Sequence, residues 1–150
     1  MIRKESRVTK KVKVWLALAV IFVLVCSAGG LVAALVASKF SSMTESLLAV
    51  AAKGDFKNFY DSHTSSDFRR SVTVEQLKSF LSKHHIDTLS HVRTSEFQGG
   101  LTAAEWRGAM VLAGGTEVPL LIWYVKENGD WRIVFIASGE ERLGVPLTTE

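Results

Sequence analysis

Sulfur chemistry is nearly absent from this chain. Cys26 is the only cysteine among 150 residues, which excludes an intramolecular disulfide and any cysteine-based zinc cluster. Proline is almost as scarce, with Pro119 and Pro146 alone, and no repeat, low-complexity run or long linker is visible. No phosphate loop, nucleophile elbow, dinucleotide fingerprint or zincin motif occurs, so none of those chemistries has a foothold. The most telling lack is of charge. Between Lys13 and Lys39 lie 25 residues, Val14 to Ser38, without one charged side chain.

As a helix that stretch reaches about 37 Å at 1.5 Å per residue, against a hydrocarbon core of about 30 Å. It is expected to cross a membrane with some tilt. Ahead of it stand Arg3, Lys4, Arg7, Lys10, Lys11 and Lys13 against the single acid Glu5, a balance of +5. The whole chain carries +3, so residues 14–150 carry −2. Basic residues beside a hydrophobic span stay in the cytoplasm, which sends the C-terminal region outside. The pI near 9.1 therefore reflects a short basic tail. It gives no reason to expect nucleic acid as a partner. The organisation expected is a cytoplasmic tail over 1–13, a span over 14–38 and an extracytoplasmic domain over 39–150, in an inner (plasma) membrane.

Two other readings of the segment stay open. A cleaved signal peptide would use residues 15–25 and Cys26-Ser27-Ala28, although apolar residues resume at Leu31. A lipoprotein signal would place a lipid on Cys26, but Val25 stands where a small residue is usual. All three readings export the domain. Small residues recur every fourth position, as Cys26, Gly30, Ala34 and Ser38, with Gly29, Ala33 and Ala37 beside them. Such stripes let two membrane helices approach closely, and Gly30 and Ala34 are candidate interface residues. The bland alternative is that Ala and Gly are common in membrane helices.

The first half of the remaining chain reads as helical. Ser42-Met43-Thr44-Glu45 suggests a capping box that opens a helix ending at Gly54. Asp55 is placed to cap a second helix carrying Phe56, Phe59 and Tyr60 on one face. Thr73-Val74-Glu75-Gln76 repeats the capping-box pattern ahead of Leu77, Phe80, Leu81 and His84. The second half reads as antiparallel sheet, with strands near 89–97, 103–113, 117–126 and 131–138. Gly99-Gly100, Gly114-Gly115 and Asn128-Gly129 fall between them as turns. Helices followed by a meander of about four strands give an α+β domain.

Residues 118–125 and 133–137 are apolar on both alternating sets, whereas a sheet with one wet face would alternate. The face away from the helices is therefore expected to be covered, by a second copy, a partner or the C-terminal tail. Leu121, Trp123 and Val125 share one face of the third strand, with Val118, Leu120, Ile122 and Tyr124 on the other.

The run Gly54-Asp55-Phe56-Lys57-Asn58-Phe59-Tyr60, then Ser66-Asp67-Phe68-Arg69-Arg70, Thr73-Val74-Glu75-Gln76-Leu77 and the ending Asn128-Gly129-Asp130-Trp131-Arg132-Ile133 resemble the cystatin-like superfamily. That superfamily includes nuclear transport factor and ketosteroid isomerase, and the likeness covers about residues 43–138. It is strongest to small exported bacterial domains. It implies a curved sheet wrapped on helices into a cone, often with a pocket and often dimeric through the sheet. A basic tail, one span and such a domain outside also resemble inner-membrane subunits of type IV secretion systems, which work by protein contact.

Enzymes of that superfamily place an Asp, His or Tyr inside the cone. The candidates here are Tyr60, His63, Asp67, His84, His91 and Glu105. No spacing among them demands catalysis. Tyr60 reads more simply as a core aromatic and His84 as a helix-end histidine. His84, His85, Asp87 and His91 could be imagined around a metal, but adjacent residues at a helix end diverge in direction. Tyr60 and Trp106 are the candidate pocket residues, with Trp123 and Trp131 as further aromatics on strands. Aromatics also favour strands simply because they fill cores. The expectation is a non-enzymatic interaction module of an envelope complex, without cofactor or metal. It would be partnered by the bilayer and by itself or another envelope protein. Binding of a lipid or small apolar ligand in the cone is the alternative, and an enzyme with a buried Asp, His or Tyr is the third.

Overall fold

A computed structural model describes residues 34–147 of the chain. The expected span falls almost wholly outside them, as do Cys26, Gly29, Gly30 and Ala33. Among the described residues no helix is long and apolar enough to cross a membrane.

Helix α1 covers 34–52 and is already helical at Ala34, so Ser42 does not open it. The expected start is corrected for a simple reason. A serine three residues before a glutamate signals a cap only if the chain ahead of it is not helical. Here Ser42 and Thr44 sit inside the helix. The Thr44 hydroxyl donates back to the Phe40 carbonyl at 2.8 Å, and Ser46 donates to the Ser42 carbonyl at 2.9 Å. That i−4 bonding is what such residues do within a helix.

Helix α2, Phe56–His63, begins where Asp55 accepts the Asn58 N–H, as expected. Helix α3, Ser66–Ser71, is capped by Ser65, whose hydroxyl accepts the Phe68 N–H at 3.1 Å. The stretch from His63 to Asp67 reads as polar and turn-like in sequence, and this helix begins within it. Helix α4, Val74–Lys83, has the full capping box. Thr73 accepts from the Gln76 N–H, and the Gln76 side chain accepts from the Thr73 N–H at 2.8 Å. Its stripe of Leu77, Phe80 and Leu81 is buried, as the spacing requires. A short 3₁₀ turn, Ile86–Thr88, then leads into the sheet.

Five antiparallel strands follow in sequence order: β1 (Leu89–Gly99), β2 (Ala103–Leu112), β3 (Glu117–Glu127), β4 (Asp130–Ser138) and β5 (Glu141–Gly144). The fifth corrects the expected count of about four. It is four residues long and carries two charges, too short to show a period of two. The β3–β4 turn has Asn128 and Gly129 both at positive φ, 54° and 91°, the geometry that an Asn-Gly hairpin takes.

The inner face of the sheet packs on the helices. Trp106, Met110, Ile122, Tyr124, Ile133 and Ile136 are fully buried there with Leu48, Phe59, Phe68, Leu77 and Leu81. Phe40 of α1 is seated among Phe97, Trp131 and Tyr124, at ring separations of 4.7, 5.0 and 5.6 Å. The Tyr124 hydroxyl, 2.7 Å from that of Thr44, ties α1 to β3 in the same interior. Burial pushes the Tyr124 phenol well above its usual range. The α2–α3 junction hooks onto β4, where the Ser65 N–H donates to the Ile133 carbonyl at 2.8 Å.

Candidate functional site

The outer face of the sheet is where the third strand's second apolar set emerges. Leu121, Trp123 and Val125 are half-buried there. They surround a smaller cluster made by buried Val134, Phe135 and Ala137, joined by Leu147. The register explains the grouping. Leu121 faces Ala137 and Trp123 faces Phe135, and a bulge then leaves Val134 unpaired before Ile133 meets Tyr124. A bulge inserts an extra residue, so Val134 and Phe135 both serve the outer cluster while Ile133 and Ile136 serve the inner core. This is why β4 reads as apolar on both alternating sets.

Part of the cover comes from the chain itself. The Val145 N–H donates to the Val134 carbonyl at 3.0 Å, and Leu147 packs onto the cluster. Beside that cover lies an open groove of about 440 Å³. Leu121, Trp123, Phe135, Ala137 and Pro146 line it, together with Arg107 and Arg142.

Polar bonds fix the groove's aromatic lining. The Trp123 indole N–H donates to the Glu105 carboxylate at 2.6 Å. Glu105 in turn pairs with Arg107, which also lies 3.8 Å from Glu96. The Glu105 bond raises the Arg107 guanidinium above its usual range, reinforced by the charges of Glu105 and Glu96. Trp123 also stacks at a tilt on Phe135, ring centres 4.8 Å apart. The indole is thus held at both its ring and its N–H, presenting a preorganised, half-exposed apolar surface.

The expected interface residues Leu121, Trp123 and Val125 share this face. Of the other two, Gly30 lies outside the described residues, and Ala34 is an exposed residue at the start of the described part of α1. The expected pocket residues are placed in packing roles. Trp106 is wholly enclosed and donates its indole N–H to Thr94 at 2.8 Å. Tyr60 donates its hydroxyl to the Val72 carbonyl at 2.6 Å. Neither lines the groove.

The remaining titratable candidates are held apart in separate local pairings. Asp67 pairs with Arg70, and the exposed His91 lies beside Ser90. His84 sits 3.2 Å from Glu141, which also binds Lys83. His63 packs edge-on against Phe59, and burial, with Arg132 nearby, lowers its pKa. Among the described residues no three His, Cys, Asp or Glu side chains are grouped to hold a metal ion.

Sequence reasoning did not find Glu105 as the anchor of Trp123, nor Arg142 and Pro146 as lining residues. The signal for Glu105 lies in the β2–β3 register, which sets it opposite Trp123. That register was not fixed by turn residues alone.

No family model matches the chain, and no curated protein matches it. Solved structures similar in the course of the backbone include the following two. One is a substituted Rd1NTF2 design, 23% identical, covering 69% of this chain and 96% of that one at a TM-score of 0.49. The other is a Campylobacter jejuni protein provisionally described as an NTF2-like transpeptidase, 10% identical, covering 61% of this chain and 94% of that one, also at 0.49.

Proposed function

We propose that this chain is a single-pass, membrane-anchored interaction module whose outer sheet face docks a folded partner outside the cytoplasm. The partner is a second copy or another envelope protein. One observation carries the reading: a rigidly held Trp123 lines an open groove with Leu121, Val125 packs on the same outer cluster, and no helix among the described residues packs on that cluster. Burying such half-exposed apolar surface is the ordinary driving force of association, and a pinned aromatic is the side chain that dominates such interfaces. The paired charges of Glu105, Arg107 and Glu96 form a polar border, the usual surround of a docking core. The uncharged stretch from Val14 to Ser38 and the basic tail before it supply the anchor and its direction.

The interior argues for contact rather than for ligand capture. Phe40, Trp106, Ile122 and Tyr124 are buried together in the core between the sheet and the helices.

The test uses the full chain in mild detergent, with its mass measured by light scattering and its partner capture compared between variants. Leu121→Glu is expected to stay folded while its mass falls or captured envelope protein is lost. Ile122→Glu, one residue away but fully buried, is expected to unfold the domain. Wild-type mass and capture in a folded Leu121→Glu would remove this face as the interface.

A further inference from the structure

A second hollow, of about 640 Å³, lies between the start of the domain's first helix and the β3–β4 turn. It is lined by Lys39, Lys126, Arg132 and His63 on its polar side and by Met43, Leu47 and Trp131 on its apolar side. We propose that it holds the phosphate of an anionic phospholipid headgroup, drawn from the same bilayer that the uncharged stretch enters. The inference rests on the membrane-anchored reading above.

Charge comes first. Three permanent cations line the hollow against one acid, Asp130. Asp130 lies 3.3 Å from Arg132 but is 71% exposed, so it directs much of its carboxylate to water. Glu127, close enough for Arg132 to lower its pKa, accepts the Ser66 N–H at 3.0 Å and is committed there. Lys126 and Lys39 are both exposed and make no ion pair among the described residues. His63 is kept neutral near pH 7 by its burial and by Arg132. Its ring offers a hydrogen bond without adding charge. The set therefore favours an anion.

Position identifies the source. Lys39 is the residue at which the uncharged stretch ends, so in the anchored reading it lies at the depth of the headgroups. Lys126, Arg132 and Trp131 line the same hollow as Lys39. Trp131 is half-buried, with its ring packed edge-on against Phe40 and the rest facing the hollow. An indole with one apolar side and one wet side suits the membrane–water boundary. The apolar wall of Met43 and Leu47 continues that match toward the glycerol and upper acyl region.

The experiment places the full chain in nanodiscs of phosphatidylcholine carrying rising fractions of phosphatidylglycerol. Amide exchange is read across the β3–β4 turn, residues 127–131. Protection is expected to grow with phosphatidylglycerol. Lys126→Gln is expected to raise the half-effect fraction about five-fold, the effect of one cation near an anionic surface. Lys126→Arg is expected to keep the wild-type response, as charge rather than lysine itself is required. A chain that inserts but shows equal protection with and without phosphatidylglycerol overturns the proposal alone. Equal protection by inorganic phosphate in pure phosphatidylcholine discs would assign the hollow to a free anion and overturn the lipid source. A chain that does not insert overturns the anchored reading and this inference together.

Discussion

Single side chains set both the stability of the domain and its response to acid. Phe80 lies on the buried stripe of α4 and is 5% exposed. Removing its ring leaves a cavity that the surrounding Leu77, Leu81 and sheet residues can fill only partly. Phe80→Ala is therefore expected to cost about 3–5 kcal/mol, read by denaturant unfolding of the detergent-solubilised chain. A loss below about 1 kcal/mol would place the wrong face of α4 in the core. His63 governs the first response to acid. Its pKa is lower in the folded state than its usual 6.5, chiefly through burial and secondarily through Arg132. The unfolded chain then binds a proton that the folded chain refuses. The His63 contribution is flat above pH 6.5, becomes destabilising as the pH drops below it and levels off beneath the folded value. Glu141 and Glu127 act lower. Lys83 holds Glu141 below its usual 4.5, and Ser66 holds Glu127 below the same value. Their contributions are present above pH 4.5 and are lost as the pH falls through their folded values. Thermal midpoints across pH 4–8 are expected to show the upper step in the wild type and not in His63→Gln. An unchanged upper step in that variant would assign it to another group.

At the scale of elements, β5 and the segment after it close the sheet and cover part of its outer face. Leu143 packs into the main core, and Leu147 packs onto the outer cluster. Gly144 sits at φ 95° in a place where a Cβ would stand 2.3 Å from the Val134 carbonyl, so the chain turns there over β4. Truncation after Gly139 is expected to lower the thermal midpoint of the chain and to expose more of Val134 and Phe135 to solvent. A truncated chain with an unchanged midpoint would show that this cover contributes nothing to the fold. How much of this was legible in sequence follows from the range of the signals. Caps are local, so Asp55 and the Thr73–Gln76 box were readable, as was the Asn128-Gly129 hairpin. Ser42 misled because the same local pattern occurs within a continuing helix. The strands from β1 to β4 announced themselves through turn residues between apolar runs. The doubled apolar pattern of β3 and β4 gave two buried faces, and the outer cluster supplies the second. β5 was hidden because four residues carry no period, and its pairing is fixed by tertiary contact with β4. The groove's polar anchor was hidden for the same reason, since Glu105 meets Trp123 only once the β2–β3 register is set. Phe40, adjacent to Lys39, carries no signal of its own in the sequence and is a core residue of the domain.

The whole molecule joins these parts in an order that one experiment can check. The −2 balance of residues 14–150, the +5 tail and the uncharged stretch between them argue for one direction of insertion. In the proposed reading, the docking face on the sheet and the cationic hollow lined by Lys39 both lie outside the cytoplasm. The most direct measurement is the topology of the intact chain in a bacterial inner membrane. Two reporters are fused in turn after Glu150, one active only outside the cytoplasm and one active only within it. The outside reporter is expected to be active and the inside reporter silent. Exchanging the six basic residues of the tail for glutamine is expected to weaken that preference. An active cytoplasmic reporter on the unaltered chain would contradict the anchored, outward-facing module and the functions proposed for both of its surfaces.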